Sequence, residues 1–276
     1  MPTTAADDDA TIYYEVNGTG EPMIIMGGWG TFCHGKLSDA PRAIVKNYQV
    51  LTLDYRGIGE STDVESTVPS TQQYADDVLR VCDELGWDTF HFLGMVGMGA
   101  CVGQEIAIRA PERVRSLVMT GTWAICDKTF VDELVALRNI HLQLGFPAFQ
   151  ELTAAISFEP GFYQQHRERV LGPTGAWSDL DGRASAHARL IDACLAHDVT
   201  GRMGQISAPT FVVHAGSDIL TGPRLTVPLE QGIPNARGHL WPELAHIVAG
   251  KEQKIEFDEL LMKFLAPLTA AANSIA

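Results

Sequence analysis

The chain is short of positive charge. Lys and Arg total 20 against 34 Asp and Glu, a net charge of −14. Such a surface repels phosphate backbones and anionic lipid, so nucleic-acid and membrane partners are excluded from the expected function. No apolar run reaches the roughly 20 residues that a membrane-spanning helix needs. The first ten residues carry Asp7, Asp8 and Asp9 in place of an apolar core, so no secretory signal is expected. The five cysteines (Cys33, Cys82, Cys101, Cys126 and Cys194) are scattered, with no C-x-x-C pair. They are expected to be reduced thiols in a cytoplasmic protein. No His/Cys cluster has metal-ligand spacing, so neither metal nor cofactor is expected.

What remains suits one large domain. The chain has 276 residues, of which 46% are hydrophobic and 20% charged, enough to bury a substantial core. Short apolar strands alternate with amphipathic helices. Strands are expected at residues 11–16, 23–26, 49–53, 115–119, 210–214 and 236–241. Helices are expected at 41–48, 71–85, 223–231 and 252–265. This alternation is the mark of an α/β fold, a mostly parallel sheet with helices on both faces. From about residue 124 to 204 it breaks. Helical patterns at 130–144, 148–156, 161–170 and 184–197 follow one another without a strand. The expected organisation is a core domain in two parts, 1–123 and 205–276, interrupted by a helical cap, 124–204. Only the polar start and the Ala-rich end look loose.

One stretch organises the rest. Phe90-His91-Phe92-Leu93-Gly94 is an apolar strand running into Met95-Val96-Gly97-Met98-Gly99, and a helical pattern follows to Ala110. Strand, glycine turn and helix form the frame of a nucleophile elbow, which lifts one side chain beside the free N–H groups of a helix start. The serine that would stand there is absent. Counting from Gly94 puts Val96 at the nucleophile position. Counting back from Pro111-Glu112-Arg113-Val114 puts Gly97 there. The elbow needs positive φ, which suits glycine and strains a β-branched valine, so Gly97 is favoured. Close strand–helix packing alone would also account for the glycines.

With Asp54-Tyr55-Arg56-Gly57-Ile58-Gly59-Glu60-Ser61 and the strand-end segments around Asp218 and His246, the chain resembles the α/β-hydrolase superfamily over nearly its whole length. It is most similar to small bacterial hydrolases of the enol-lactonase and methylesterase type. The resemblance implies an α/β-hydrolase fold with a helical cap. It also implies His246 as general base, Asp218 as the acid that orients it, and the backbone N–H groups of Trp29 and Met98 as an oxyanion hole. Gly28, Trp123, Phe130 and Phe158 are expected to face the substrate. Asp127 is an alternative acid that reads better as a cap-entry residue. A displaced cysteine nucleophile is disfavoured, because Cys101 lies a turn into the helix and Cys33 and Cys126 lie off the elbow.

The expected partner is a small-molecule substrate, with homo-oligomerisation left open. Three functions follow. The chain is a hydrolase of a small, largely apolar carboxylic ester or lactone carrying a Ser→Gly substitution at Gly97. Alternatively glycine is native, and the Asp218–His246 dyad is a general base without covalent catalysis, as a lyase, cyclase or cofactor-free oxygenase would use it. Alternatively the protein is a non-catalytic ligand-binding receptor.

Overall fold

The computed structural model describes residues 2–30 and 34–273, so the expectation for Cys33 lies outside the described residues. Strands β1 (Thr3–Ala5), β2 (Thr11–Asn17), β3 (Glu21–Met26), β4 (Tyr48–Leu53), β5 (Phe90–Gly94), β6 (Val114–Thr120), β7 (Thr210–Ala215) and β8 (Ala236–Trp241) form one sheet. The spatial order is β1-β2-β4-β3-β5-β6-β7-β8. β1 and β2 run antiparallel to their neighbours, and every pairing from β4 to β8 is parallel.

The strands are apolar on both faces because both faces are covered. In β3, Ile24 and Met26 point to one side and Met23 and Ile25 to the other. The first side meets helices α2 (Thr71–Glu84), α3 (Met98–Arg109) and α8 (Pro223–Gly232) through Val78, Ile106 and Leu229. The second meets α1 (Arg42–Asn47) and α9 (Lys251–Asn273) through Ile44, Phe257 and Leu261.

Between β6 and β7 the described chain forms helices α4 (Lys128–Leu144), α5 (Phe146–Ser157), α6 (Pro160–Val170) and α7 (Ala184–Ala196), with no named strand. Asp127 caps α4 by accepting from the Phe130 N–H at 2.8 Å. Among the described residues no helix is long and apolar enough to cross a membrane.

Two expectations need correction. The polar start is not loose: β1 pairs with β2, Asp8 accepts from Arg56 at 2.7 Å, and Asp7 pairs with Arg80. The Ala-rich end continues α9 through Pro267 to Asn273.

Candidate active site

The parallel strands bring their carboxyl ends to one edge, and the candidate residues meet there. β5 ends at Gly94, and Gly97 stands immediately before α3 with φ 75° and ψ −121°. Val96 also has positive φ, 62°. The steric reasoning that separated the two positions therefore fails: the elbow holds two successive left-handed residues, one of them a valine. Val96 is held by its N–H, which donates to Thr120 Oγ1 at 2.9 Å, and the Gly97 N–H donates to the Gly121 carbonyl at 2.7 Å. What distinguishes Gly97 is its place directly before the helix, with the N–H of Met98, a first-turn donor that the helix itself cannot bond, behind it. Gly99 is needed for a different reason: a Cβ there would lie 2.3 Å from the Met26 carbonyl oxygen. That absence lets α3 start against the end of β3.

His246 leaves the loop after β8. Its Nδ1 lies 2.9 Å from Asp218 Oδ2 and 3.0 Å from Thr221 Oγ1. Asp218 follows β7, is nearly fully buried, and is satisfied on both oxygens. Oδ1 accepts from the backbone N–H groups of Leu220 and Thr221 at 2.8 and 3.0 Å, and Oδ2 accepts from the Thr221 hydroxyl at 2.8 Å. Burial alone would raise this carboxyl. The electrostatic pull of the adjacent His246 ring and the hydrogen bonds from His246 and Thr221 overcome it and hold Asp218 down to about 2. Asp218 is thus an anion at neutral pH and fixes the proton of His246 on Nδ1. The lone pair on Nε2 is left for the cavity. Gly121 makes room for this ring, since a Cβ there would come within 3.2 Å of His246 Cε1.

The cavity measures about 40 Å³ and is lined by Gly28, Trp29, Gly97, Met98, Trp123, Phe130 and His246, all expected. Its wall also includes Val96, the other elbow candidate, and Leu137, Trp177, Leu220 and Ile247, which sequence reasoning missed. Phe158 is misplaced in that reading. It stands behind Trp177, ring centroids 6.1 Å apart, and stacks on Phe162. Asp127 bonds Arg224 at 3.0 Å rather than His246, in keeping with a cap-entry role. Thr221 was also missed; as a hydroxyl three residues after Asp218, it offered a weak signal.

Trp29 is held from the cap side. Its Nε1–H donates to Cys194 Sγ at 3.5 Å, and its ring meets His187 edge-on at 5.0 Å. Among the described residues no thiol stands at the elbow in place of a hydroxyl. Burial pushes the thiols of Cys101 and Cys194 well up and that of Cys126 up to about 12, so none is a thiolate near neutral pH. Among the described residues no group of three or more His, Cys, Asp or Glu side chains is arranged to hold a metal ion.

Sheet order, elbow and dyad define the class, and the sequence comparison agrees. Residues 21–251 match the alpha/beta hydrolase fold family, and the chain belongs to it, among the hydrolases of that superfamily. It is similar to a putative carbamate hydrolase RutD from Azorhizobium caulinodans, 28% identical over 93% of this chain and 95% of that protein. A protein of the same name from Variovorax paradoxus is also 28% identical, over 94% and 97%. The enol-lactonase from Burkholderia xenovorans LB400 superposes with a TM-score of 0.81 over 96% of this chain and all of that one. At 22% identity that likeness speaks for the fold alone.

Proposed function

We propose that the protein hydrolyses a small, largely apolar acyl compound, an ester, lactone or carbamate, with water rather than a side chain as nucleophile. One observation carries this reading: an Asp–His dyad at 2.9 Å faces a cavity whose elbow position, Gly97, has no side chain. His246 Nε2 takes a proton from water as the water oxygen bonds to the carbonyl carbon. The carbonyl electron pair moves onto oxygen, and the N–H groups of Trp29 and Met98 donate to it. Collapse of the tetrahedral species expels the alcohol or amine, which receives the proton from His246. General-base assistance of this kind is worth about 10²–10⁴-fold, and each oxyanion donor about 10²–10³-fold. The RutD likeness supports adding carbamates to the esters and lactones. The cavity of about 40 Å³ supports a small acyl group, since a single water needs about 10–15 Å³ by this measure.

One observation favours a second reading, in which serine belongs at residue 97. A Cβ built on Gly97 meets Trp123 at 3.7 Å and the Gly121 carbonyl oxygen at 3.8 Å, ordinary contacts that leave space for a side chain.

A panel of small esters, lactones and carbamates separates the two. The glycine protein should turn over a member of the panel and lose about 10²–10⁴-fold on His246→Ala. Gly97→Ser should bring no large gain and no covalent labelling by an organophosphonate. A Gly97→Ser protein that takes the label and gains several orders of magnitude overturns the water mechanism in favour of the acyl-enzyme. Activity undiminished by His246→Ala would overturn both.

A further inference from the structure

Resting on that reading, we infer that Cys194 is a positioning residue for the oxyanion donor. From the cap, its thiol holds the indole of Trp29, and through it the backbone N–H that meets the developing charge in the proposed mechanism.

The chain leaves β3 as Gly27-Gly28-Trp29-Gly30. The Gly27 carbonyl accepts from the Tyr55 hydroxyl at 2.7 Å, and a Cβ on Gly28 would lie 2.9 Å from the Val96 carbonyl oxygen. The segment therefore passes hard against the elbow. Beyond Trp29 the backbone turns left-handed at Gly30, with φ 66°. Trp29 is the one residue of the four with a side chain, so its indole is the handle by which this glycine-rich stretch is oriented.

Two cap residues grip that handle. Both lie on α7, about two turns apart and so on one face of the helix. Cys194 accepts the indole N–H at 3.5 Å, and His187 meets the ring edge-on with centroids 5.0 Å apart. Each is itself held. His187 is buried, its Nδ1 lies 2.9 Å from that of His141, and Phe149 packs against its ring at 4.6 Å. The Cys194 carbonyl accepts from the Cys126 thiol at 3.5 Å, at the cap entry. An indole has a single N–H, so the bond to sulfur selects one rotation of the ring. Burial keeps the Cys194 thiol protonated. Its removal therefore deletes a hydrogen bond without changing charge.

The donor's position matters most once charge develops on the carbonyl oxygen. A misplacement of about 1 Å costs on the order of 10²-fold in rate. An interaction made only in the transition state lowers kcat and leaves KM unchanged. A thiol that merely filled the core would act otherwise, since truncating it would lower the melt and leave the turnover of the folded protein alone.

Cys194→Ala removes the acceptor and Cys194→Ser supplies another. With Cys194→Ala, kcat should fall about 10-fold and KM should stay within about twofold of native. Cys194→Ser should recover most of that loss. The indole ¹⁵N–¹H signal of Trp29, assigned by its loss in Trp29→Phe, should move in Cys194→Ala and stay near its native place in Cys194→Ser. 3-Benzothienylalanine at position 29 keeps the ring, lacks the N–H and should reproduce the kinetic effect of Cys194→Ala, so the test survives if one of these proteins fails to fold. Methyl methylphosphonate, a tetrahedral anion, reads the donor without turnover. Its affinity should fall about 10-fold in Cys194→Ala and recover in Cys194→Ser. An unchanged kcat, equal losses in the two variants, or a loss carried wholly by KM would show a packing role only and overturn the proposal. So would an unmoved indole signal, or a phosphonate that fails to bind or binds every variant alike. The expected phosphonate pattern in a chain that turns over no member of the panel would leave the clamp standing and count against the hydrolase reading instead.

Discussion

At the scale of single residues, the site rests on Asp218 keeping its charge. The carboxyl is held down to about 2 against an ordinary value of 3.8. Its contribution to stability is therefore present above the ordinary value and is lost as the pH falls through about 2. The difference corresponds to about 2 kcal/mol. Across the neutral range Asp218 does not titrate, so it should add no limb to a pH–rate profile between pH 5 and 8. Asp218→Asn keeps the shape and removes the charge. The amide still presents one group to His246 Nδ1, but it no longer favours the tautomer with the proton there or stabilises the imidazolium. We expect kcat to fall about 10²–10⁴-fold with KM little changed. A loss below threefold at neutral pH would show that His246 does not depend on its carboxylate.

At the scale of elements, the junction of β3, β5 and α3 is the tightest place near the site. A methyl added at Gly99 would lie 2.3 Å from the Met26 carbonyl oxygen and 2.7 Å from that of Gly27. Backbone cannot yield as a flexible side chain does. Gly99→Ala should push the start of α3 off β3, at a cost of about 1–3 kcal/mol or more. The Met98 N–H moves with the helix, so activity should fall further than the thermal melt alone predicts. Full activity with an unchanged melt would refute the close approach.

This junction also shows what the sequence could and could not reveal. The parallel strands and their helices were legible because burial on both faces writes itself as apolar runs and helical periodicity. The dyad was legible because Asp218 and His246 sit at strand ends in the expected chain order. β1 was not: three residues, Thr3–Ala5, carry no period of their own and are defined by pairing with β2. The positive φ of Val96 was hidden too, since local sterics argue against it and only the surrounding turn requires it. Trp177, Leu137 and Ile247 reach the cavity from separate loops and helices, so no spacing along the chain links them. Phe158 was misjudged for the same reason: composition shows an aromatic cap and does not say which ring is in front.

At the scale of the whole molecule, two opposing electrostatic effects govern stability in mild acid. The net charge of −14 implies mutual repulsion, which weakens as protons bind and so favours the folded chain as pH falls. Buried histidines act in the other direction. Burial, with His141 adjacent, holds His187 down to about 3, and burial, with Arg202 nearby, holds His197 to about 4. The unfolded chain takes up these protons below about 6.5 and the folded chain does not. Each group's contribution is complete above the ordinary value and is lost as pH falls toward its folded value. With two such groups, the loss from pH 6 to pH 4.5 is on the order of 4 kcal/mol. That is a large share of the 5–15 kcal/mol typical of a folded domain. Surface repulsion is spread over distant, screened charges and relieves less, so the histidines should win. Tm should fall on the order of 10 °C between pH 6.5 and 4.5. His187 Nδ1 faces His141 Nδ1 at 2.9 Å, so His187→Gln retains a polar partner there while removing one titrating group. It should roughly halve the acid slope. Salt distinguishes the two causes: 0.5 M NaCl screens the surface term and leaves the buried one, so the acid limb should persist or steepen. A melt that is flat from pH 6.5 to 4.5, or one that rises and loses its pH dependence in salt, would show that surface charge dominates and that these histidines are protonated in the folded protein.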